Sequence, residues 1–349
     1  MRALLLSSIT AVVLVAGCKK KDTEELAKVS SEQVIHHFAD NVAFAMYTDM
    51  YIKANALENS VNALQNNITI QNLQQSQADW KALRAEWEYS EAFLFGPIAD
   101  LDLDPAWDDW PVNHQDFDFV LNSSNVLTES YVNGLATSSK GFHALEYILF
   151  GKNNNQTISN LTPRKLEYAT ALAKNIKNIA STCKSAWSTD FLQKIKKAGN
   201  GSPLYTNKKA AFLEIVNAVV GICGETGEEK IESVFIAQDP KLEESQFSQN
   251  SMNDFKSNIK GAEMVYLGSY KVDGIGLSEW TQQYNKSLDL RIKQAFNEAH
   301  NALNAITDPF GVAIISQPNN IQNAVNKISN LEVLLETELL PLVNLKVID

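Results

Sequence analysis

His143 and Glu146 are the residues whose types and spacing most clearly suggest chemistry, and they lie in an almost wholly apolar run, residues 141–151. Three positions apart on an α-helix, their side chains share one face. A helix that is apolar around most of its circumference is a buried helix, and a buried ionisable pair is costly unless its members are partnered. The pattern predicts either a metal or ligand site or, as the spacing alone favours, a hydrogen-bonded pair that holds two helices in register.

Standard catalytic motifs are missing from the sequence. Tyr147 follows Glu146, so the second histidine of the inverted zinc-protease motif is absent. The patterns His-Glu-x-x-His, Gly-x-Ser-x-Gly, P-loop, dinucleotide fingerprint and Cys-x-x-Cys-His are absent too. An imidazole and a carboxylate suit iron, zinc or manganese, but even an open zinc site needs three protein ligands. Further ligands would come from a set that the sequence does not rank: Glu91, His114, Asp109, Glu243 and Glu244.

Residues 71–95 have the pattern of a long helix with an unusual face. Trp80, Arg84, Trp87 and Glu91 recur at i, i+4, i+7 and i+11, which places them on one side of the helix. Tryptophan and arginine are favoured at binding sites, so this face is a candidate ligand-binding surface. The alternative, which the sequence leaves equally open, is a core stripe edged by a surface pair between Arg84 and Glu88.

The segment after Gly96-Pro97, residues 98–119, is rich in aspartate. Asp100-x-Asp102-x-Asp104 begins like a calcium-binding EF-hand loop, but Pro105 and Pro111 occupy the positions that require glycine and glutamate. We expect a loop that is stiffened by these prolines and anchored by tryptophans. Such a loop is able to supply one carboxylate to a nearby site.

The N-terminus has the pattern of an export signal. Arg2 is followed by an apolar run and then by Val-Ala-Gly-Cys18, which resembles a bacterial lipobox. We expect residues 1–17 to be a signal peptide, Cys18 to be lipidated, and residues 18–30 to be a flexible tether. An ordinary secretory signal with an incidental cysteine is the alternative. No later stretch is expected to cross a membrane.

The charge of the remaining chain excludes one class of partner. Without Arg2 it holds 29 basic and 41 acidic residues, a formal charge of −12. Nucleic-acid binding needs a basic surface, so no nucleic-acid partner is expected. Cys183 and Cys223 fit no zinc motif. A disulfide and two unpaired buried cysteines are equally compatible with the sequence.

Helical periodicity dominates the chain, and period-2 alternation is nearly absent. The fold class predicted is all-α, with two helical bundles side by side. The clearest linker is Lys-Ala-Gly-Asn-Gly-Ser-Pro at residues 197–203. It divides a first bundle, 31–197, which carries the His-x-x-Glu pair, from a second bundle, 204–349.

With its flanking residues, Gly141-Phe-His143-Ala-Leu-Glu146 resembles the Gly-x-His-x-x-Glu signature of the imelysin-like family. Further segments resemble family motifs in the same order: Trp87 to Pro97, Trp110-Pro111, Phe247-Ser248-x-Asn250-Ser, Gly261 to Gly268, and Leu339-Leu340-Pro341. The resemblance covers about residues 30–349. It implies two helical bundles with a cleft between them, near the His-x-x-Glu helix.

The same resemblance implies site residues and a function. His143, Glu146 and Glu91 become metal-ligand candidates, and the ligand-binding candidates are Arg84, Trp87, Trp110, Ser248 and Asn250. Family members are exported or lipid-anchored proteins linked to iron uptake, and the family is also classed with metallopeptidases. A divalent metal, iron or zinc, is the expected cofactor, whereas haem is possible but has no ligation motif. A membrane anchor and an iron-uptake receptor or transporter are the expected partners.

Two functions therefore stand as hypotheses. The first is capture of iron, of another divalent metal or of an iron-bearing ligand at the cleft between the bundles. The second is a zinc-type metallopeptidase that uses His143 and has Glu146 as its general base. The missing second histidine and the acidic charge favour the binding protein.

Overall fold

The computed structural model describes residues 28–112 and 114–347, and within these ranges the chain forms helices and no β-strand. The predicted all-α fold class is confirmed. The α-helices in chain order are Ser31–His37 (α1), Phe44–Asn66 (α2), Ile70–Ser90 (α3), Pro97–Asp100 (α4), Leu103–Asp108 (α5), His114–Asn122 (α6), Glu129–Asn133 (α7), Gly141–Phe150 (α8), Pro163–Ala186 (α9), Leu192–Lys196 (α10), Lys208–Gly224 (α11), Ser233–Ala237 (α12), Ser251–Leu267 (α13), Leu277–Tyr284 (α14), Lys286–Asn304 (α15), Phe310–Ser316 (α16), Pro318–Leu334 (α17) and Leu340–Lys346 (α18).

Wider helical turns join several of these helices into longer rods. The π-helical segments are Phe38–Ala43, Trp187–Phe191, Glu225–Glu232 and Leu335–Leu339, and they continue α1 into α2, α9 into α10, α11 into α12 and α17 into α18. Short 3₁₀ turns occur at Glu91–Phe93, Thr137–Ser139, Ile158–Asn160 and Pro240–Leu242. A π-helical turn admits an extra residue, so it changes which side chains face the core, and such turns are frequent at functional sites.

Helix starts follow local capping chemistry. The Ser30 hydroxyl accepts from the Gln33 backbone N–H, and the Gln33 side chain accepts from the Ser30 N–H, which completes a capping box before α1. Thr162 caps α9, with Pro163 in its first turn. These caps satisfy backbone donors that the helix itself leaves unpaired.

The two halves of the chain meet along α3 and α13. In the first half α2 packs on α3 and α9, and in the second half α15 packs on α17. Helix α3 also packs along α13, and a Cβ on Gly261 would lie 2.2 Å from the Tyr89 carbonyl oxygen. Glycine at position 261 therefore allows the two helix backbones to approach closely. The buried apolar residues of both halves form one continuous core.

The predicted loop at residues 98–119 is partly wrong, because short helices occupy most of it. Helices α4, α5 and α6 fall in this segment. Leu103 and Trp107, four positions apart, are buried on the same side of α5. This single buried stripe is enough to hold one turn and a half of helix against the core, despite the prolines and aspartates around it.

The helical run Lys208–Ala237 is long and apolar enough to cross a membrane by length and composition alone. A helix in the core of a protein passes the same test, so length and composition alone do not overturn the expectation that no later stretch crosses a membrane. Half of its most apolar stretch is buried inside the protein, and α11 packs on α13, α17 and α18. We interpret the run as a core helix of this fold. The signal peptide 1–17, Cys18 and most of the tether lie outside the described residues.

Candidate functional site

Glu146 is held on both of its oxygens. On α8, one oxygen lies 2.9 Å from Nδ1 of His143. The other accepts hydrogen bonds from the backbone N–H and the hydroxyl of Ser248, each at 2.7 Å. Both His143 and Glu146 are buried. The hydrogen-bonded pair that the spacing favours is thus present, and Glu146 also ties α8 to the second half of the chain.

The second ring nitrogen of His143 points to an aspartate at the end of α5. Nε2 lies 3.0 Å from Asp108, whose other oxygen accepts from the Trp87 indole N–H at 2.6 Å. Burial alone would lower the pKa of His143, but the hydrogen bonds to Asp108 and Glu146 raise it to about 9. The imidazole is therefore protonated at neutral pH, with a carboxylate on each side.

Arg84 is the centre of a fully buried charge network. Its guanidinium lies 2.5 Å from Glu88, 2.9 Å from Glu244 and 3.7 Å from Asp254, and it also pairs with Asp108. The Arg84 side chain has no solvent exposure. Although burial opposes ionisation, Arg84 and His143 hold the pKa of Asp108 well below its ordinary value. Asp108 is therefore a permanent anion at physiological pH.

Lys230 forms a second cationic centre beside Arg84. Its ammonium lies 2.6 Å from Glu91, 2.8 Å from Glu244 and 3.4 Å from Glu88. Glu225 is farther away, at 3.7 Å, and its side chain is 45% exposed. The π-helical segment Glu225–Glu232 carries both Glu225 and Lys230. The ammonium therefore has three buried acidic partners and one at the surface.

An amide on α13 completes the contacts of this cluster. The Asn258 side chain donates to Glu88 at 2.7 Å and to Glu91 at 2.6 Å. Its amide oxygen is buried and has no hydrogen-bond partner in the described part of the chain. Since Glu88 and Glu91 lie on or just after α3, these bonds fasten the two halves together at the cluster.

Negative charge exceeds positive charge in this network. Three cations, Arg84, Lys230 and protonated His143, face six buried carboxylates: Glu88, Glu91, Asp108, Glu146, Glu244 and Asp254. Burial raises the pKa of Glu91 to about 8 and raises the pKa values of Glu88 and Asp254 as well. Some of these carboxyl groups must keep a proton at neutral pH unless a further cation neutralises them.

Four of the carboxylates lie close enough together to be candidate metal ligands. Oxygens of Glu88, Glu91, Asp108 and Glu244 all lie within 4.8 Å of one another. One Glu244 oxygen is buried and has no hydrogen-bond partner among the described residues. The Lys230 ammonium already occupies a position between three of these carboxylates, so the space suits a positive charge. An all-oxygen set of this kind prefers hard cations over zinc.

A surface cleft leads toward this cluster. It has a volume of about 360 Å³ and is lined by Glu91 and Glu225, together with Phe95 and residues of α11. Because Glu91 also contacts Lys230, the floor of the cleft is the edge of the buried network. Glu91 therefore belongs both to the lining of the cleft and to the buried network.

The structure brings most of the sequence-predicted site residues together but not as the lining of an open cleft. Arg84, Trp87 and His143 are buried inside the network. Asn250 lies at its edge and donates to Asp254 at 2.7 Å. Trp110 is half-buried and packs against the core.

The additional ligand candidates divide into those inside and those outside the network. Glu91 and Glu244 are inside it. Asp109 instead accepts from Thr137, Glu243 accepts from Ser251, and His114 pairs with Lys152. Asp108 rather than its neighbour Asp109, and Glu244 rather than its neighbour Glu243, thus face Arg84.

Sequence reasoning missed five members of the network as site residues: Glu88, Asp108, Lys230, Asp254 and Asn258. The interpretation of Arg84 and Glu88 as a surface pair is wrong, because neither side chain is exposed. The spacing of Arg84, Glu88 and Glu91 along one helix face was a usable signal. Lys230 gave no such signal, because the helical pattern from Lys208 to Phe235 does not show which distant residues its side chain meets.

The structure shows whether the two cysteines form a disulfide. Cys183 and Cys223 are both buried and unpaired, which agrees with one of the two alternatives that the sequence left open. Burial raises the pKa of both thiols above 9. Neither cysteine is a nucleophile at neutral pH.

The structure is an all-helical fold with a buried network of arginine and carboxylates where the two halves of the chain meet. The imelysin (peptidase M75) family model matches residues 43–337. The chain belongs to the imelysin family.

Similar proteins agree with this assignment. Iron-regulated protein A of Synechococcus elongatus is 29% identical over 324 residues, which are 90% of this chain and 87% of that protein. A crystal structure assigned as an iron-regulated protein A precursor from Parabacteroides distasonis has a TM-score of 0.80 at 24% identity and covers 89% of this chain and 95% of its own. An imelysin-like protein from Psychrobacter arcticum has a TM-score of 0.75 at 14% identity, over 92% and 99% of the two chains. The two structures support the fold.

Proposed function

We propose that this protein binds a divalent cation, with iron as the leading candidate, at the carboxylate cluster of Glu88, Glu91, Asp108 and Glu244. The observation that carries the proposal is the convergence of these four oxygens in a buried site whose carboxylates outnumber its cations. The name of the cyanobacterial relative, iron-regulated protein A, supports iron over other divalent cations.

Lys230 is the residue that makes such binding reversible. Its ammonium neutralises Glu88, Glu91 and Glu244 in the absence of another cation. Glu225 lies 3.7 Å from the ammonium and is half-exposed. It is the outer partner to which the ammonium turns when a bound metal cation neutralises the inner carboxylates. A lysine side chain has several rotatable bonds and makes this exchange without backbone movement.

A binding protein fits the geometry better than a metallopeptidase does. Glu146, the general base of the peptidase hypothesis, already accepts from His143 and twice from Ser248. A general base must instead reach a water molecule or substrate proton. His143 is protonated between two carboxylates and has no lone pair left for a metal. Direct ligation of a metal by His143 and Glu146 would require these side chains to break their hydrogen bonds to each other, to Asp108 or to Ser248.

Location and partners complete the proposal. The lipobox-like sequence that ends at Cys18 supports an exported protein tethered to the cell envelope by lipid. A cation captured there must be handed on, so an iron-uptake receptor or transporter in the same membrane is the proposed partner.

Metal titration of the purified, resin-stripped protein tests the proposal. Isothermal titration calorimetry with Fe²⁺ under anaerobic conditions, and with Mn²⁺ and Zn²⁺, is expected to give one site per chain that prefers Fe²⁺ or Mn²⁺. Glu244→Gln removes one charged ligand and is expected to weaken binding at least tenfold, since a charged oxygen contact contributes about 1.5–3 kcal/mol.

Glu336→Gln is the matched control because Glu336 is exposed on the segment Leu335–Leu339, outside the cluster. It removes the same charge, and its affinity is expected to equal that of the wild type. Absence of a stoichiometric site in the wild type, or equal weakening by both substitutions, would contradict the proposal. Release of cleaved peptides from a protein substrate panel would favour the peptidase instead.

A further inference from the structure

A separate cleft of about 810 Å³ lies between α3, α13 and α15. This volume falls in the range, roughly 300–1,000 Å³, of pockets that bind small molecules. Helix α3 contributes Lys81 and Tyr89 to the walls, α13 contributes Lys256 and Lys260, and α15 contributes His300. The cleft thus lies at the junction of the two halves, and its basic residues come from both.

The lining is positively charged in a protein that is acidic as a whole. Three lysines face one glutamate, Glu263, whereas the full chain has a net charge of −11. Glu263 lies 2.6 Å from Lys260 and 3.3 Å from His300. The hydrogen bonds from His300 and Lys260 lower the pKa of Glu263 to about 2, so its charge offsets that of Lys260.

Lys81 and Lys256 remain uncompensated. The Lys81 ammonium lies 5.4 Å from the centre of the Phe150 ring. Lys256 is half-buried and has no acidic partner among the described residues. Burial lowers its pKa, and an anion beside it would restore the preference for the charged form. Two ammonium groups without carboxylates in one concave site suit a ligand with two or more negative groups.

Amides supply the rest of the polar lining: Asn250, Asn253, Asn297 and Asn304. A side-chain amide both donates and accepts hydrogen bonds, so it recognises hydroxyl and carbonyl groups. We propose that this cleft binds a small oxyanion, whose carboxylate or phosphate groups pair with Lys81 and Lys256 while its hydroxyl groups bond to the amides.

Asn250 connects this cleft to the buried network without making it part of the cation site. Its amide donates to Asp254 at 2.7 Å, and Asp254 lies 3.7 Å from Arg84. Among the described residues, the ion pair formed by a lysine of the cleft joins Lys260 to Glu263, which is not a member of the carboxylate cluster. The anion proposal is therefore tested on metal-free protein, so that its outcome does not depend on the proposed cation binding.

Calorimetric titration with citrate and with inorganic phosphate tests the proposal, with glucose as an uncharged comparison. Citrate carries carboxylates and a hydroxyl, so the two anions distinguish a carboxylate ligand from a phosphate ligand. We expect one citrate or phosphate per chain and no glucose binding. Lys81→Ala and Lys256→Ala each remove one charge-assisted contact, which corresponds to a roughly tenfold weaker dissociation constant.

Lys174→Ala is the matched control, since Lys174 is exposed on α9 outside the cleft. Its affinity is expected to equal that of the wild type. Circular dichroism establishes that each variant is folded. If Lys256→Ala is unstable, Lys81→Ala alone tests anion binding at the cleft, since Lys81 is exposed. The proposal is overturned if neither anion binds the wild type, or if Lys174→Ala weakens binding as much as the cleft substitutions do.

Discussion

Replacing Lys230 by methionine tests whether the carboxylate cluster is held together by an internal cation. The substitution keeps an unbranched side chain of similar length and removes the ammonium that lies 2.6 Å from Glu91 and 2.8 Å from Glu244. Removing one partner of a buried ion pair costs about 3–5 kcal/mol. Since burial raises the pKa of Glu91 to about 8, this carboxyl group is mostly protonated at pH 7 and leaves little uncompensated charge when the lysine is lost. We therefore expect a loss of about 3 kcal/mol, the lower end of that range.

A divalent cation is expected to reverse this loss in the variant. With Lys230 gone, the cation no longer competes with the ammonium for Glu88, Glu91 and Glu244, so its affinity should rise. At a concentration one hundred times its dissociation constant, a ligand that binds only the folded state contributes about 2.7 kcal/mol. Urea unfolding of the wild type and of Lys230→Met at pH 7, with and without Mn²⁺, measures both effects.

The exposed Lys174→Met is the control, because surface substitutions usually change the free energy of unfolding by no more than about 0.5 kcal/mol. The reasoning is refuted if metal-free Lys230→Met is as stable as the wild type. It is also refuted if Mn²⁺ stabilises the variant no more than it stabilises the wild type.

Two further predictions concern the contact between the halves and the pH dependence of stability. Gly261→Ala should destabilise the protein by about 1–3 kcal/mol, because the added Cβ would lie 2.2 Å from the Tyr89 carbonyl oxygen. Gly221→Ala should instead stabilise the protein by about 0.5–1 kcal/mol, because an added Cβ there has nothing within 4 Å. Equal urea midpoints for the two variants would count against the close approach of the helices. Glu263→Gln should cost about 1 kcal/mol at pH 7, because the exchange removes an ion pair with partial exposure. The folded-state pKa of Glu263, about 2, lies below its ordinary value of 4.5, so this stabilisation is present above pH 4.5 and is lost as the pH falls toward 2. Unfolding curves of the two proteins should therefore converge in acid, and a constant difference across this range would contradict the assignment.

The sequence was most informative where neighbours along the chain decide the structure. Helical periodicity and capping signals located α3, α8 and α9, and the separation of His143 and Glu146 predicted that they would share a helix face. These properties depend on side chains within one or two turns of each other. The resemblance to the imelysin-like family is confirmed by the family model, and both solved structures share the fold.

The charge network could not be predicted in the same way. Lys230 meets Glu88 across 142 positions of sequence, and such a contact depends on how α3 and the Glu225–Glu232 turn pack together. The choice of Asp108 over Asp109 depends on the short helix α5, which the aspartates and prolines of this segment obscured. The division into two bundles, the lipid anchor at Cys18 and the roles of the site residues stay predictions.

An anomalous scattering map of Mn²⁺-soaked crystals measured near the manganese edge is the most direct test of cation binding at the buried cluster. One strong peak is expected among the carboxylates of Glu88, Glu91, Asp108 and Glu244, with the Lys230 ammonium moved toward Glu225. A peak at the His143–Glu146 pair, or no peak within the network while Lys230 keeps its three buried partners, would contradict the proposed site.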